Sequence, residues 1–502
     1  MVKTGMKRIR WGGLIARWLF ISAMAWPVGV TGAMSYLRDQ DGLLVPRMPY
    51  PQYLARSYRF VLQDLDHGWS SGNAYQDETG QPVPGYVNYA LANPERKLGV
   101  GHPLNADTVY PAFHHALFIR AFLARWRYAG DPACLARARQ LADWNLARRT
   151  PADCMFGSLF YSTVHKGQGG GHVDGDAIMT DKPAIMALAM LELAGATGDA
   201  RYRQAAEAVA ATLAKTQLPE GNWPFRVNPR TGAVREAYTS SAIYAVMLFE
   251  ELDKPDGKRW HAARDKALRW ILASPAKTME WKGFYEDITP EQGKDNRTNW
   301  DCIDTARWLI AHRADNPEYL PLARKLHDWI AREFVEKNKD WAPAEGLREQ
   351  KVCFATMGVH TLHWAALLAD FHAATGEADF KQRAIQACAL VTYWMRDDGA
   401  NLVGPTWGDE IWFSCHFGPA LYLYETLTRF PKLLADGPPP LKRPAAGGEK
   451  QLSSRNALSR PEPTSRRVPW ASGSSPSTPG TNGPRAAISN PTPSPAWNTS
   501  AP

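Results

Sequence analysis

The chain has 502 residues, 45% apolar and 22% charged, with 58 Lys+Arg against 50 Asp+Glu and a net charge of +8. That balance excludes a wholly disordered chain, and no central run is long and apolar enough for a membrane-spanning helix. The charge sits at the ends: five bases and no acid precede residue 34, eight bases against two acids fall in 437–502, and 34–436 carries a net −3. Nucleic acid is therefore not an expected partner, because a basic ligand-binding body would place its excess charge in the folded part.

The first 33 residues read as an export signal. A basic stretch, Lys7-Arg8-Ile9-Arg10, precedes an apolar run from Trp18 to Val30, and Thr31-Gly32-Ala33 offers small residues at a cleavage point. A periplasmic or secreted protein follows from that reading, with no membrane contact beyond the signal. Residues 437–502 hold 14 of the 38 prolines and few large apolar side chains. Such a segment cannot bury enough surface to offset its ordering entropy, so a disordered tail is expected.

Between these ends a unit recurs. Leu135, Tyr202, Trp260, Tyr319 and Phe380 each follow a Gly/Asp/Glu-rich turn and open an amphipathic helix, at separations of 67, 58, 59 and 61 residues. A spacing near 60 is a two-helix period with loops. The glycines stop one helix and the acids start the next. A further outer helix, 52–65, precedes the first of these copies. Six more apolar helices alternate with them, at 108–123, 182–193, 239–252, 302–311, 355–371 and 411–427, apolar on most faces as inner helices must be. The predicted fold is all-α, an (α/α)6 toroid over 34–436, because neither helix of a pair can bury its surface alone and closure hides the ends of the array.

Connections from outer to inner helices are long and connections from inner to outer are short. All the long loops therefore gather where the inner helices begin, and long loops on a rigid scaffold carry function. The second contains Gly169-Gly170-Gly171-His172-Val173-Asp174-Gly175-Asp176, two carboxylates and an imidazole within five residues. The fourth contains Tyr285 and ends Asn299-Trp300-Asp301-Cys302-Ile303-Asp304. The sixth contains Trp407-Gly408-Asp409-Glu410. Such acids serve general acid–base chemistry or helix capping, and the cluster of the second loop could also suit a metal at the cavity mouth. Arg235 opens the third inner helix and suits either a substrate carboxylate or an ion pair with Glu236. Loop Trp and Tyr suit stacking on sugar rings, whereas Trp144, Trp270 and Trp329 recur on outer helices as packing. No Cys-x-x-Cys or His-Glu-x-x-His occurs, and no metal or other cofactor is expected.

The run from Thr197 to Trp223, with Gln217-Leu218-Pro219-Glu220-Gly221-Asn222-Trp223-Pro224, resembles the hairpin of (α/α)-toroid pectate lyases. Their second Gly is Asn222 here, and their Asp pair on the next helix is Ser240-Ser241. The same Gln-x-x-x-Gly-x-Trp is similar to the repeat of squalene-type terpene cyclases, whose acidic motif would fall on Asp174-Gly175-Asp176-Ala177. More broadly the architecture resembles six-hairpin glycosidases, which use paired acids at this end of the toroid. The expected function is cleavage of a poly- or oligosaccharide. Asp176 and Asp301 are the first catalytic candidates, followed by Asp174 and Glu410. His172, Arg235, Tyr238, Tyr285, Trp223, Trp300 and Trp407 are candidates to bind substrate. A uronate lyase, a terpene-cyclase-like enzyme and a non-catalytic glycan- or protein-binding toroid are the alternatives. In the lyase a Tyr or His (Tyr285, Tyr238 or His172) would take the proton, with Arg235 or Lys182 holding the developing charge.

Overall fold

A computed structural model describes residues 35–67, 111–161, 177–254, 257–282, 295–351, 355–406 and 418–435. All lie in one unit, Met1–Arg443; the second, Pro444–Pro502, is outside the described residues. The expected export signal and tail are outside them too.

Among the described residues six outer and six inner helices alternate. The outer helices are α1 Tyr50–His67, α3 Pro132–Leu146, α5 Ala200–Thr216, α7 His261–Ala273, α9 Tyr319–Glu333 and α11 Ala378–Val391. The inner helices are α2 Pro111–Ala129, α4 Lys182–Thr197, α6 Ile243–Asp253, α8 Trp300–Ala311, α10 Gly358–Thr375 and α12 Tyr424–Arg429, the last entered through a π-helical turn, Pro419–Leu423. Each inner helix packs on the next, and the turn at Pro419–Leu423 packs back on α2, so the inner ring closes into an (α/α)6 toroid.

The alternation follows from composition. In α10, Gly358–Ala369 are all buried, together with Phe371, so the helix has no solvent face to spare. The amphipathic α9 buries only Ala323, Leu326, His327, Trp329 and Ile330. Of the five recurring anchors, Tyr202, Trp260 and Phe380 are buried core residues, while Leu135 and Tyr319 are partly buried against the core. The turns between hairpin helices work as the sequence suggests. Gly198 and Gly376 end α4 and α10 at φ of 70° and 74°. Space is not what selects glycine there, since a Cβ would meet nothing within 4 Å; the left-handed backbone is. Asp199 then caps α5 by accepting from the Arg201 amide.

Closure is sealed by polar contacts from the first described residues. Gln386 on α11 holds Leu44 through both its amide and its carbonyl, at 2.8 and 2.9 Å. Tyr393 Oη donates to the Val45 carbonyl, and Tyr53 Oη donates to Asn401 Oδ1.

The expectation of an all-α body needs one addition. The outer-to-inner loops carry short strands: β1 Ile178–Met179, β2 Arg226–Val227 and β3 Val234–Glu236 form an antiparallel sheet, and β4 Val335–Glu336 pairs with β5 Gly346–Leu347. Arg226 and Glu236, paired across β2 and β3, also form a buried ion pair at 2.8 Å. Two- and three-residue strands have no room for an alternating pattern, so nothing in the sequence separates them from loop. Cys134, Cys154, Cys302 and Cys388 are free and buried, as small apolar fillers are.

Candidate functional site

The N-terminal ends of the inner helices converge on a cluster of buried polar side chains. Trp300, 6% exposed, sits at its centre. Its ring meets Phe113 from α2, His360 and His363 from α10, and Tyr422 from the turn before α12, at centroid distances of 5.6, 4.9, 4.6 and 5.7 Å. Lys182, the first residue of α4, lies with Nζ 4.7 Å from the Phe113 ring centroid and 3.4 Å from Asp181 Oδ2. His114, buried beside it, is pushed down to about 3 by burial and then by the Lys182 charge.

Asp301 occupies the first turn of α8, 8% exposed. Its Oδ2 accepts from Ser241 Oγ at 2.6 Å and from Ser240 Oγ at 3.0 Å, while Oδ1 accepts from no described residue. Burial pushes this carboxyl up to about 6; the Ser241 hydrogen bond and the Lys182 charge oppose the shift without cancelling it. The serines stand where the pectate-lyase resemblance expects an Asp pair, and their hydroxyls serve the acid on the next inner helix.

Asp304, one turn along α8, receives the opposite treatment. Tyr244 Oη donates to Oδ2 and His363 Nε2 to Oδ1, each at 2.8 Å. Burial would raise this carboxyl, but His363, Arg307 and Tyr244 together hold it below the usual range. Residues three apart share a helix face, so α8 presents one carboxyl that resists ionising and one that favours it.

Of the sequence candidates, Trp300 and Asp301 lie together in this cluster. Tyr238 is near enough for the Asp301 charge to raise its pKa, with burial the larger cause, and its hydroxyl donates to the Glu280 carbonyl at 2.7 Å. A phenol raised and engaged in this way is a poor proton acceptor. Arg235 is exposed on β3, before α6 rather than within it. Trp223 corrects the stacking expectation: it is 3% exposed and its Nε1 donates to the Leu213 carbonyl, so its faces pack in the wall. Asp174, Asp176, Glu410, His172, Tyr285 and Trp407 lie outside the described residues. Sequence reading passed over the full importance of His360 and His363, whose three-residue spacing at the start of an apolar helix was the available signal, and of Asn299 just before Trp300. Among the described residues no three His, Cys, Asp or Glu side chains are grouped to hold a metal ion.

The fold, though not the site, is one known from solved structures. D-mannose isomerase matches with a TM-score of 0.54 at 12% identity, over 76% of this chain and 97% of that one. The cellobiose 2-epimerase of Spirochaeta thermophila matches with a TM-score of 0.51 at 14% identity, over 76% and 98%. A family 76 glycoside hydrolase from a bovine Bacteroides thetaiotaomicron strain matches with a TM-score of 0.51 at 11% identity, over 77% and 78%. The fold is that of the six-hairpin, carbohydrate-active toroids. No family model matches the sequence, and no curated protein matches it.

Proposed function

We propose that the chain is a carbohydrate-active enzyme that cleaves a glycosidic bond of a poly- or oligosaccharide at the toroid mouth, with Asp301 as general acid. The carrying observation is the pair of carboxyls one turn apart on α8 whose surroundings push them in opposite directions. Hydrolysis needs one carboxyl that keeps its proton for the leaving oxygen and another, ionised, that activates water or attacks the sugar. Asp301, raised to about 6 and with Oδ1 engaged by no described residue, suits the first role. Asp304 is fixed in the ionised form by its two donors. Asp176, Asp174 and Glu410 remain candidates for the second role.

A second reading has its own observation. His360 and His363 lie one turn apart on α10 against Trp300, and two of the similar solved structures are named as a sugar isomerase and a sugar epimerase. Removing and returning a proton at a sugar carbon needs two such groups.

One experiment separates the readings. The purified chain is incubated with a panel of poly- and oligosaccharides, and new reducing ends, absorbance from unsaturated uronates and isomerised sugars are all followed. Reducing ends lost in Asp301→Asn support cleavage. Isomers without new reducing ends would replace it with the second reading, absorbance would replace it with a lyase, and no product from any sugar would leave a binding protein.

The reading extends to residues 1–33 as an export signal, 34–436 as the catalytic toroid and 437–502 as a disordered tail. Sequencing the amino terminus of the protein recovered from outside the cytoplasm tests the first of these; an intact Met1 there would overturn it.

A further inference from the structure

Asn299 immediately precedes α8, the position at which an Asn side chain ordinarily accepts a hydrogen bond from the helix's own first amides. Here it makes no such bond. Its side chain is turned away from the helix and completely buried. Nδ2 donates to two backbone carbonyls, Arg348 at 2.7 Å and Glu349 at 2.8 Å, and Oδ1 lies 3.0 Å from His360 Nδ1.

These contacts determine one another. Carbonyl oxygens only accept, so the atom facing Arg348 and Glu349 is the amide nitrogen, and the amide cannot be flipped. The atom facing His360 is then an acceptor, and Nδ1 must carry the proton. Burial and the neighbouring His363 hold this imidazole neutral. A neutral ring with its proton on Nδ1 has its lone pair on Nε2, which no described residue engages.

His363, one turn along the same helix, is held the other way round. Its Nε2 faces Asp304 Oδ1, an acceptor, so Nε2 carries the proton. Two histidines on one face thus turn different ring nitrogens to their acceptors, Nδ1 of His360 to Asn299 and Nε2 of His363 to Asp304. A helix cap and a loop carbonyl pair are a large investment of buried polar groups for one ring. Capping alone would have been met by Asn299 turned toward its own helix.

We propose that Asn299 is a positioning residue for the site: by bridging the 348–349 loop to His360 it sets that imidazole as the Nδ1–H tautomer and presents Nε2 as a proton acceptor at the toroid mouth. The proposal rests on the reading of this mouth as an acid–base site, but its first test does not need a substrate. The groups that bear on His360 are His363 on its own helix, Asp304 through His363, Asp301 beside Asn299, and Tyr422 stacked on His363.

Nitrogen NMR of the histidine-labelled, full-length protein, with the His360 signals assigned through His360→Gln, reads which ring nitrogen carries the proton. The wild type is expected to show Nδ1–H at His360 across pH 6–8; a proton on Nε2 overturns the proposal without any variant. Asn299→Ala removes the acceptor and is expected to yield a mixture of the two tautomers. Asn299→Asp keeps an acceptor, now charged, and is expected to retain Nδ1–H while raising the pH at which His360 titrates. On whatever substrate the panel identifies, Asn299→Ala should lower kcat about 10-fold or more and leave KM within about 3-fold, bounded by the ~10²–10⁴-fold range for losing His360 itself as a base. A tautomer unchanged in Asn299→Ala sinks the positioning role. A failed substrate panel with the expected NMR result leaves the tautomer lock standing and removes the enzymatic reading instead.

Discussion

The two ends of the inner ring are both polar and are built on different terms. At the floor, toward the C-terminal ends of the inner helices, charges are matched in a continuous chain. Arg127 and Arg120 share Glu192; Arg120 also approaches Glu425; Arg307 pairs with Glu425 at 2.9 Å and with Asp370 at 2.7 Å; Arg429 completes Asp370. On the remaining inner helix, Glu250 accepts from Trp308 and meets His312. The mouth instead gathers acids and imidazoles, among them Asp301 Oδ1 and Nε2 of His360, which no described residue engages. The floor is dominated by matched ion pairs and the mouth by acids and imidazoles.

The largest expected effect would break this comparison at the mouth. Asp301→Asn should cut turnover by ~10²–10⁴-fold, as loss of a general acid does, while leaving the protein as stable or more so at pH 8. The sign follows from the raised carboxyl. Its favourable protonated form is fully present below the unfolded value near 3.8, and that contribution is lost as pH rises through about 6. The amide lacks this loss, which corresponds to a gain on the order of 3 kcal/mol over wild type above pH 6. Denaturant melts at pH 5 and 8 check it; a large destabilisation at pH 8 would make Asp301 a floor-type residue.

Arg307→Met is the converse. It removes a shared partner of Asp370 and Glu425, which keep Arg429 and Arg120, and should destabilise by about 1–3 kcal/mol, moderated also because 21% of the Arg307 side chain is exposed. Its effect on turnover should be far smaller than that of Asp301→Asn, acting only through the weaker hold on Asp304. A larger loss of activity than of stability would erase the distinction between the two ends.

The buried imidazoles sharpen the comparison further. His114 and His115 are pushed down to about 3, chiefly by burial. Their contribution is intact above the unfolded value near 6.5 and is lost as pH falls toward 3. Melting temperature should therefore drop below pH 6.5, and His114→Gln should make that drop shallower; an unchanged slope would remove His114 from the account. Trp223→Phe, in the wall, should have the smallest effect: about 1 kcal/mol for the lost bond to Leu213, with KM unchanged. A raised KM would restore Trp223 as a sugar platform.

How far the site was legible depended on the kind of signal. Asp301 stood out because a carboxylate in an apolar helix needs a task or a partner, and among the described residues it has two serines. Asp304 carried the same signal and proved to have its partners in Tyr244 and His363, each about 60 residues away in the chain. Trp223 misled because a loop Trp looks the same in sequence whether its faces are open or packed. Asn299 was hidden as an ordinary helix-capping residue.

The helical period, the glycine stops and the contrast between apolar and amphipathic helices were set by local chemistry, and with them six hairpins and a closed ring followed from the sequence alone. Those signals repeat within a turn or a hairpin, so the chain carries them linearly. Which nitrogen of His360 bears a proton, and which of two acids on α8 ionises, depends on groups brought to α8 and α10 from other hairpins and loops. Electrostatic and hydrogen-bond environments fall off within a few ångströms, and only the closed toroid brings those residues that near.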